Sequence, residues 1–119
     1  MKDLEFMYVF NAGGTLTESS NYDAAPPVPP AYGTWRALGA RQFEAKYVFY
    51  VTRAPAKLDE LTGGGGWMPA GYGEFIERIT LSANGKSFTS SMKYTAFDQG
   101  GKPVEGGGDA TCSGTRISF

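Results

Sequence analysis

The residue best placed for chemistry is Glu77. It stands in the run Phe75-Ile76-Glu77-Arg78-Ile79-Thr80-Leu81, where period-two alternation puts its carboxyl on the same face as Phe75, Ile79 and Leu81. A carboxyl on an apolar face is costly unless it is paired or hydrogen-bonded. Arg116 points the same way by alternation from Ala110 and Cys112, and is the expected partner. The plain reading of this pair is an ion pair or a wet barrel mouth. The functional reading is an anchor for a ligand's polar group, or an acid or base. Tyr47 and Tyr94 also face inward, where their phenols can hydrogen-bond a ligand or one another, or simply fill the core.

Other chemistry is excluded by what the chain lacks. It has no histidine, which removes Ser-His and Cys-His nucleophile pairs and HExxH zinc sites. Cys112 is the only cysteine, so there is neither an internal disulfide nor a CxxC pair, and it reads as a small core residue. The Gly63–Gly66 run is not followed by GK[ST] and is no phosphate loop. No metal and no cofactor is expected. With a net charge of −1 and interspersed signs, nucleic acid is not an expected partner. No apolar run approaches the roughly 20 residues of a membrane span, and Met1-Lys2-Asp3 does not open a signal peptide. A soluble chain is expected, with its compartment open.

The elements that would position these residues are strands. The 119 residues suit one domain, 1–119, and 17 glycines with 7 prolines favour many turns over long helices. Asn84-Gly85 between two alternating runs predicts a two-residue type I′ hairpin. Its register sets Leu81 opposite Phe88, Ile79 opposite Ser90, Glu77 opposite Met92 and Phe75 opposite Tyr94. Asp98-Gln99-Gly100 reads as a three-residue loop with a glycine bulge. Counting on from it puts Val104 opposite Tyr94, Gly106 opposite Met92, Gly108 opposite Ser90, Ala110 opposite Phe88, and Glu105 beside Lys93. Upstream, Phe43, Ala45, Tyr47, Phe49 and Val51 form one face of a long strand, preceded by Trp35 and Ala37 across a Gly39-Ala40-Arg41 turn. Residues 4–10 and 15–20 flank Asn11-Ala12-Gly13-Gly14, a hairpin with two possible registers. Seven strands in a meander are expected, with no helix of useful length.

Two stretches are irregular. Residues 21–31, with Pro26-Pro27 and Pro29-Pro30, read as an extended connection, since proline cannot donate to a ladder. Residues 54–71 read as a long loop in which Trp67 and Met68 form a lid, an oligomer contact or part of a disordered segment.

The run Tyr72 to Gly85, then Ser87-Phe88-Thr89, Phe97-Asp98 and Gly114-Thr115-Arg116-Ile117, resembles a group of small bacterial proteins with a lipocalin-like (calycin-like) barrel. Gly33-Thr34-Trp35 and Phe10 to Thr15 resemble the same group. The likeness covers most of the chain and rests on turn and strand signatures, so it implies fold more than activity. Members of that group carry a further strand before the one beginning at Leu4; its absence leaves an edge, and either a homodimer that covers it or a barrel closed by strands paired differently from the relatives is expected.

The expected architecture is therefore an all-β antiparallel meander β-barrel, lipocalin-like, with a two-sheet sandwich as alternative. The expected function is binding of a small apolar or amphipathic molecule inside the barrel. Trp35, Tyr47, Phe49, Met92 and Tyr94 would be its walls, and Glu77 with Arg116 its polar anchor. A small barrel enzyme of the cyclase, isomerase or dehydratase kind is the second expectation. A structural protein with a filled barrel is the third.

Overall fold

The computed structural model describes residues 3–21, 29–63 and 66–119. It contains β1 (Phe6–Phe10), β2 (Thr15–Ser20), β3 (Ala31–Ala37), β4 (Gln42–Arg53), a short helix α1 (Leu58–Thr62), β5 (Met68–Leu81), β6 (Ser87–Phe97) and β7 (Pro103–Thr115). The strands form one sheet in sequence order, β1 to β7, every neighbouring pair antiparallel. One sheet rather than two rules out the sandwich alternative. The sheet curls into a half-barrel, as expected of a meander β-barrel. β1 pairs with β2 and β7 with β6, which leaves both as edges.

Turn chemistry explains much of this order. Asn11 N–H donates to Thr15 O at 2.8 Å and Gly14 N–H to Asn11 O at 3.0 Å, with Gly14 at φ +91°. Asp98 repeats the device: its N–H donates to Lys102 O at 2.9 Å, and Gly101 N–H to Asp98 O at 3.0 Å, with Gly101 at φ +82°. Both are three-residue hairpin loops in which a glycine takes the left-handed position that a side chain would strain. This choice fixes the first hairpin in the register Phe10↔Leu16, Tyr8↔Glu18.

The β5–β6 hairpin keeps the expected register at all four positions. Its turn differs. Ser82 N–H bonds Ser87 O at 2.9 Å, so four residues form the loop, and Gly85 alone is left-handed, at φ +68°. A type I′ turn needs positive φ at both central residues, whereas Asn84 instead accepts hydrogen bonds from Ser82 Oγ (2.7 Å) and Lys86 N–H (3.0 Å).

The β6–β7 register differs from expectation by four residues. Phe97 faces Pro103 rather than Gly101, because the left-handed glycine is Gly101 and not Gly100. A bulge at Gly106 (φ +114°) then inserts two more residues in β7. Gly108 therefore faces Tyr94, Ala110 faces Met92, Cys112 faces Ser90, and Asp109, not Glu105, lies opposite Lys93. Because the displacement is even, the inward set stays inward.

The stretch expected as a long loop is shorter. β5 already begins at Met68, paired with Arg53, so Met68 belongs to the sheet and not to a lid. Gly71, at φ +114° against the Phe97 carbonyl, forms the bulge that admits this extension. α1 occupies five residues and is tied to the end of β4 by the exposed Arg53–Glu60 pair at 3.2 Å. Most of the proline-rich connection and part of the Gly63–Gly66 run lie outside the described residues.

The core lies on the concave face, around Leu16, Ala31, Ala45, Tyr47 and Ile79, with Tyr8, Trp35, Phe43, Phe49, Phe75 and Phe88 packed against it. Two glycines make this packing possible. Gly33 lies against Tyr47, and a Cβ on Gly73 would come within 2.6 Å of the Phe49 and Tyr94 rings.

Candidate functional site: a buried carboxyl cluster beside an aromatic wall

Glu77 is fully buried at the centre of the concave face. Its partners are hydroxyls, not a cation. Oε1 accepts from Ser90 Oγ at 2.5 Å, and Oε2 accepts from the Tyr47 hydroxyl at 2.8 Å and the Tyr8 hydroxyl at 3.2 Å. The two phenol oxygens are 3.2 Å apart. Both carboxyl oxygens accept in this network. Burial first, and the Glu77 charge second, push the Tyr8 and Tyr47 phenols far above their ordinary range. Both phenols stay protonated donors.

The expected Glu77–Arg116 pair is not formed. Arg116 lies past the end of β7, is exposed, and donates its backbone N–H to Lys86 O at 2.8 Å. The alternation that carried it inward stops with the strand at Thr115. All the described lysines and arginines are exposed, and none forms an ion pair with Glu77 or with any other carboxyl buried on the concave face.

A second carboxyl faces the same interior. Glu18 on β2 sits opposite Tyr8 on β1 and Ala31 on β3, is 4% exposed, and its Oε1 has no hydrogen-bond partner. Burial, then repulsion from Glu77, raise its pKa from 4.5 to about 7. Sequence reasoning missed Glu18 and Tyr8. The signal was the alternation Leu16, Glu18, which the undecided register of the first hairpin left unreadable.

The remaining expected residues separate into two groups. Phe49 and Tyr94 join Phe75 in a wall of rings, with centroids 5.7 Å (Phe49–Phe75), 5.0 Å (Phe75–Tyr94) and 6.1 Å (Phe49–Tyr94) apart. Tyr47 extends the wall, stacked on Phe75 at 5.2 Å. Met92 is buried opposite Glu77, with Cys112 Sγ 3.8 Å from its sulfur. Burial, then Glu77, push the Cys112 thiol up and keep it protonated. Trp35 is drawn elsewhere: it packs edge-on against Phe43, and its indole N–H bonds Asn11 O at 2.9 Å, pinning β3 to the first turn.

Beyond the ring wall the concave face lies open. Phe49, Gly73, Ala96 and Val104 form one cross-strand row. One more residue of the β3–β4 register past Tyr32↔Val48 brings Ala31, and with it Glu18, level with this row. Val104 is 46% exposed, and a Cβ built on Gly108, opposite Tyr94, would meet nothing within 4 Å. The result is a trough with an apolar floor, bounded by edge strand β7, with Glu18 and Glu77 buried in the packed part of the concave face beside it. Two further recesses, of about 520 and 590 Å³, share Arg78, Ser91 and Thr111 and lie on the outer face, across the sheet from Glu77.

Fold and site together define an all-β half-barrel with a buried carboxyl–phenol cluster on its concave face. Comparison with family models, curated proteins and solved structures found no match to the chain. Among the described residues, no helix is long and apolar enough to cross a membrane, and no group of three metal-ligating side chains converges.

Proposed function

We propose that the half-barrel binds a small apolar or amphipathic molecule in its trough, in the manner of a lipocalin-like carrier. The observation that supports this most is the uncovered apolar floor: Val104 exposed on the concave face, with open space over Gly108 beside Tyr94. Pockets for small molecules combine such apolar walls with a few fixed polar groups, here the hydroxyl-held Glu77 and the free oxygen of Glu18. A proton-transfer enzyme is the second reading, favoured by Glu18 sitting near neutrality next to protonated phenols. A homodimer joined along β7 belongs to the same proposal, since thirteen residues of edge strand, only Cys112 and Gly114 of them even half-buried, offer an unpaired ladder.

The test is titration with N-phenyl-1-naphthylamine, an uncharged apolar fluorophore that brightens on leaving water. Saturable binding by the wild type, lost in Val104→Trp, is expected, because the indole fills the trough from an exposed position without disturbing the buried core. No saturable signal, or an unchanged one in the variant, would overturn the proposal. Sedimentation equilibrium that finds only monomer at high concentration would remove the dimer.

A further inference from the structure

The buried part of the concave face carries acid without base among the described residues. Two carboxyls, Glu18 and Glu77, are buried there, while all the described lysines and arginines point to solvent. The two acids are not equivalent. Glu77 has three hydroxyl donors. Glu18 Oε1 is buried with no partner at all. Buried polar oxygens are almost always satisfied, and an orphan calls for a reason. The groups around Glu18 supply neither a counter-charge nor a free donor: Tyr8 on β1 and Tyr47 on β4 already donate to Glu77, Glu77 on β5 repels it, and Ala31 on β3 is apolar.

The surroundings of this oxygen narrow what could complete it. Phe6, Tyr8 and Phe10 form a run of rings along β1, with Phe6 centred 6.0 Å and Phe10 5.5 Å from Tyr8. Ring faces attract cations, and carboxylates attract them more strongly. An anionic head would meet two carboxyls and no counter-charge. A neutral hydroxyl would satisfy the orphan oxygen but leave the like-charge repulsion in place.

Resting on the binding role proposed above, we propose that the molecule held in the trough is a protonated amine on an apolar body, with Glu18 receiving the ammonium and the ring wall the apolar part. The binding is linked to protons. Free Glu18 holds its proton up to about pH 7, and an ammonium beside it favours the ionised form, so the amine displaces that proton on binding.

The test compares decylamine, decanoate and 1-decanol by isothermal calorimetry at pH 6 and pH 8, in phosphate and in zwitterionic morpholine-sulfonate buffers of larger ionisation enthalpy. Decylamine is expected to bind at least tenfold more tightly than decanoate at pH 8, and to release close to one proton per molecule bound at pH 6 and almost none at pH 8. Glu18→Gln should weaken decylamine about tenfold at pH 8 and leave 1-decanol within twofold. The proton count needs only the wild type, so it stands even where the variant folds poorly. Decanoate binding as well as decylamine, or decylamine binding without proton release at pH 6, overturns the amine while the apolar trough stands on its 1-decanol and fluorophore binding. Failure of all three probes overturns the trough itself and this inference with it.

Discussion

The substitution Glu18→Gln carries a prediction whose size and sign both follow from burial. In the folded chain the Glu18 carboxyl titrates at about 7, against an ordinary value of 4.5. Below pH 4.5 it is protonated in folded and unfolded chains alike. Between 4.5 and 7 the unfolded chain releases this proton while the folded chain keeps it, so stability falls as pH rises through that window and levels off above 7. The gap between 4.5 and about 7, at about 1.4 kcal/mol for each tenfold change in proton affinity, amounts to about 3 kcal/mol. Glutamine resembles the protonated acid and has no such titration. The variant should match the wild type near pH 4 and exceed it by about 3 kcal/mol at pH 8. Urea unfolding followed by tryptophan fluorescence, repeated at half-unit steps from pH 4 to 8.5, measures the difference directly. Glu44 and Glu60, held below the usual carboxylate range chiefly by Arg36 and Arg53, titrate alike in both proteins and cancel. Parallel profiles, or a variant less stable at pH 8, would refute the assignment of Glu18 to a dry and unpaired position.

Glu77→Leu removes the common acceptor of Tyr8, Tyr47 and Ser90, and at roughly 1–3 kcal/mol for each buried group left unsatisfied it should cost about 3 kcal/mol or more. Glu77→Gln should cost clearly less, and thermal melts of the two variants rank them. Arg116→Met should change stability by no more than about 0.5 kcal/mol in the same melts, because the guanidinium is exposed beyond β7. Gly73→Ala drives a methyl into the Phe49 and Tyr94 rings and should cost about 1–3 kcal/mol, with loss of near-ultraviolet circular dichroism from the displaced wall. Gly14→Ala and Gly101→Ala, both at positive φ, should each cost about 1 kcal/mol or more, whereas Gly13→Ala, with open space around its Cβ, should be close to neutral by chemical denaturation.

Strand number, meander order and the inward face were legible because alternation has a period of two and survives even displacements. The β6–β7 pairing shows the limit. Its register was off by four residues, yet Ala110 and Cys112 still faced inward, as the sequence pattern requires. Bulges were invisible because Gly106 and Gly71 differ from other glycines only in the φ they adopt. Arg116 shows a different failure, since alternation says nothing about where a strand ends. At the site, Glu77 was readable from its apolar neighbours, and Tyr47 and Ser90 were placed on its face, but their bonds to its carboxyl were not readable and Tyr8 was missed. Tyr8 lies in Phe6-Met7-Tyr8-Val9-Phe10, apolar at every position, so periodicity could not choose its face. Glu18 became visible only once Gly14 fixed the turn.

The bond from Tyr8 to Glu77 spans 69 positions of the chain, in a sheet where every strand lies beside its neighbours in sequence. Of the three hydroxyls on Glu77, Ser90 comes from the adjoining strand β6 and Tyr47 from the adjoining strand β4. Both would be in place in a flat, fully paired sheet. Tyr8 belongs to β1, four strands away, and reaches the carboxyl only across the hollow of the curl. The third hydrogen bond therefore reports curvature rather than pairing. A sheet with all seven strands zipped together but not rolled would carry a carboxyl with two donors and a trough with one wall, so the complete centre exists only in the curled sheet.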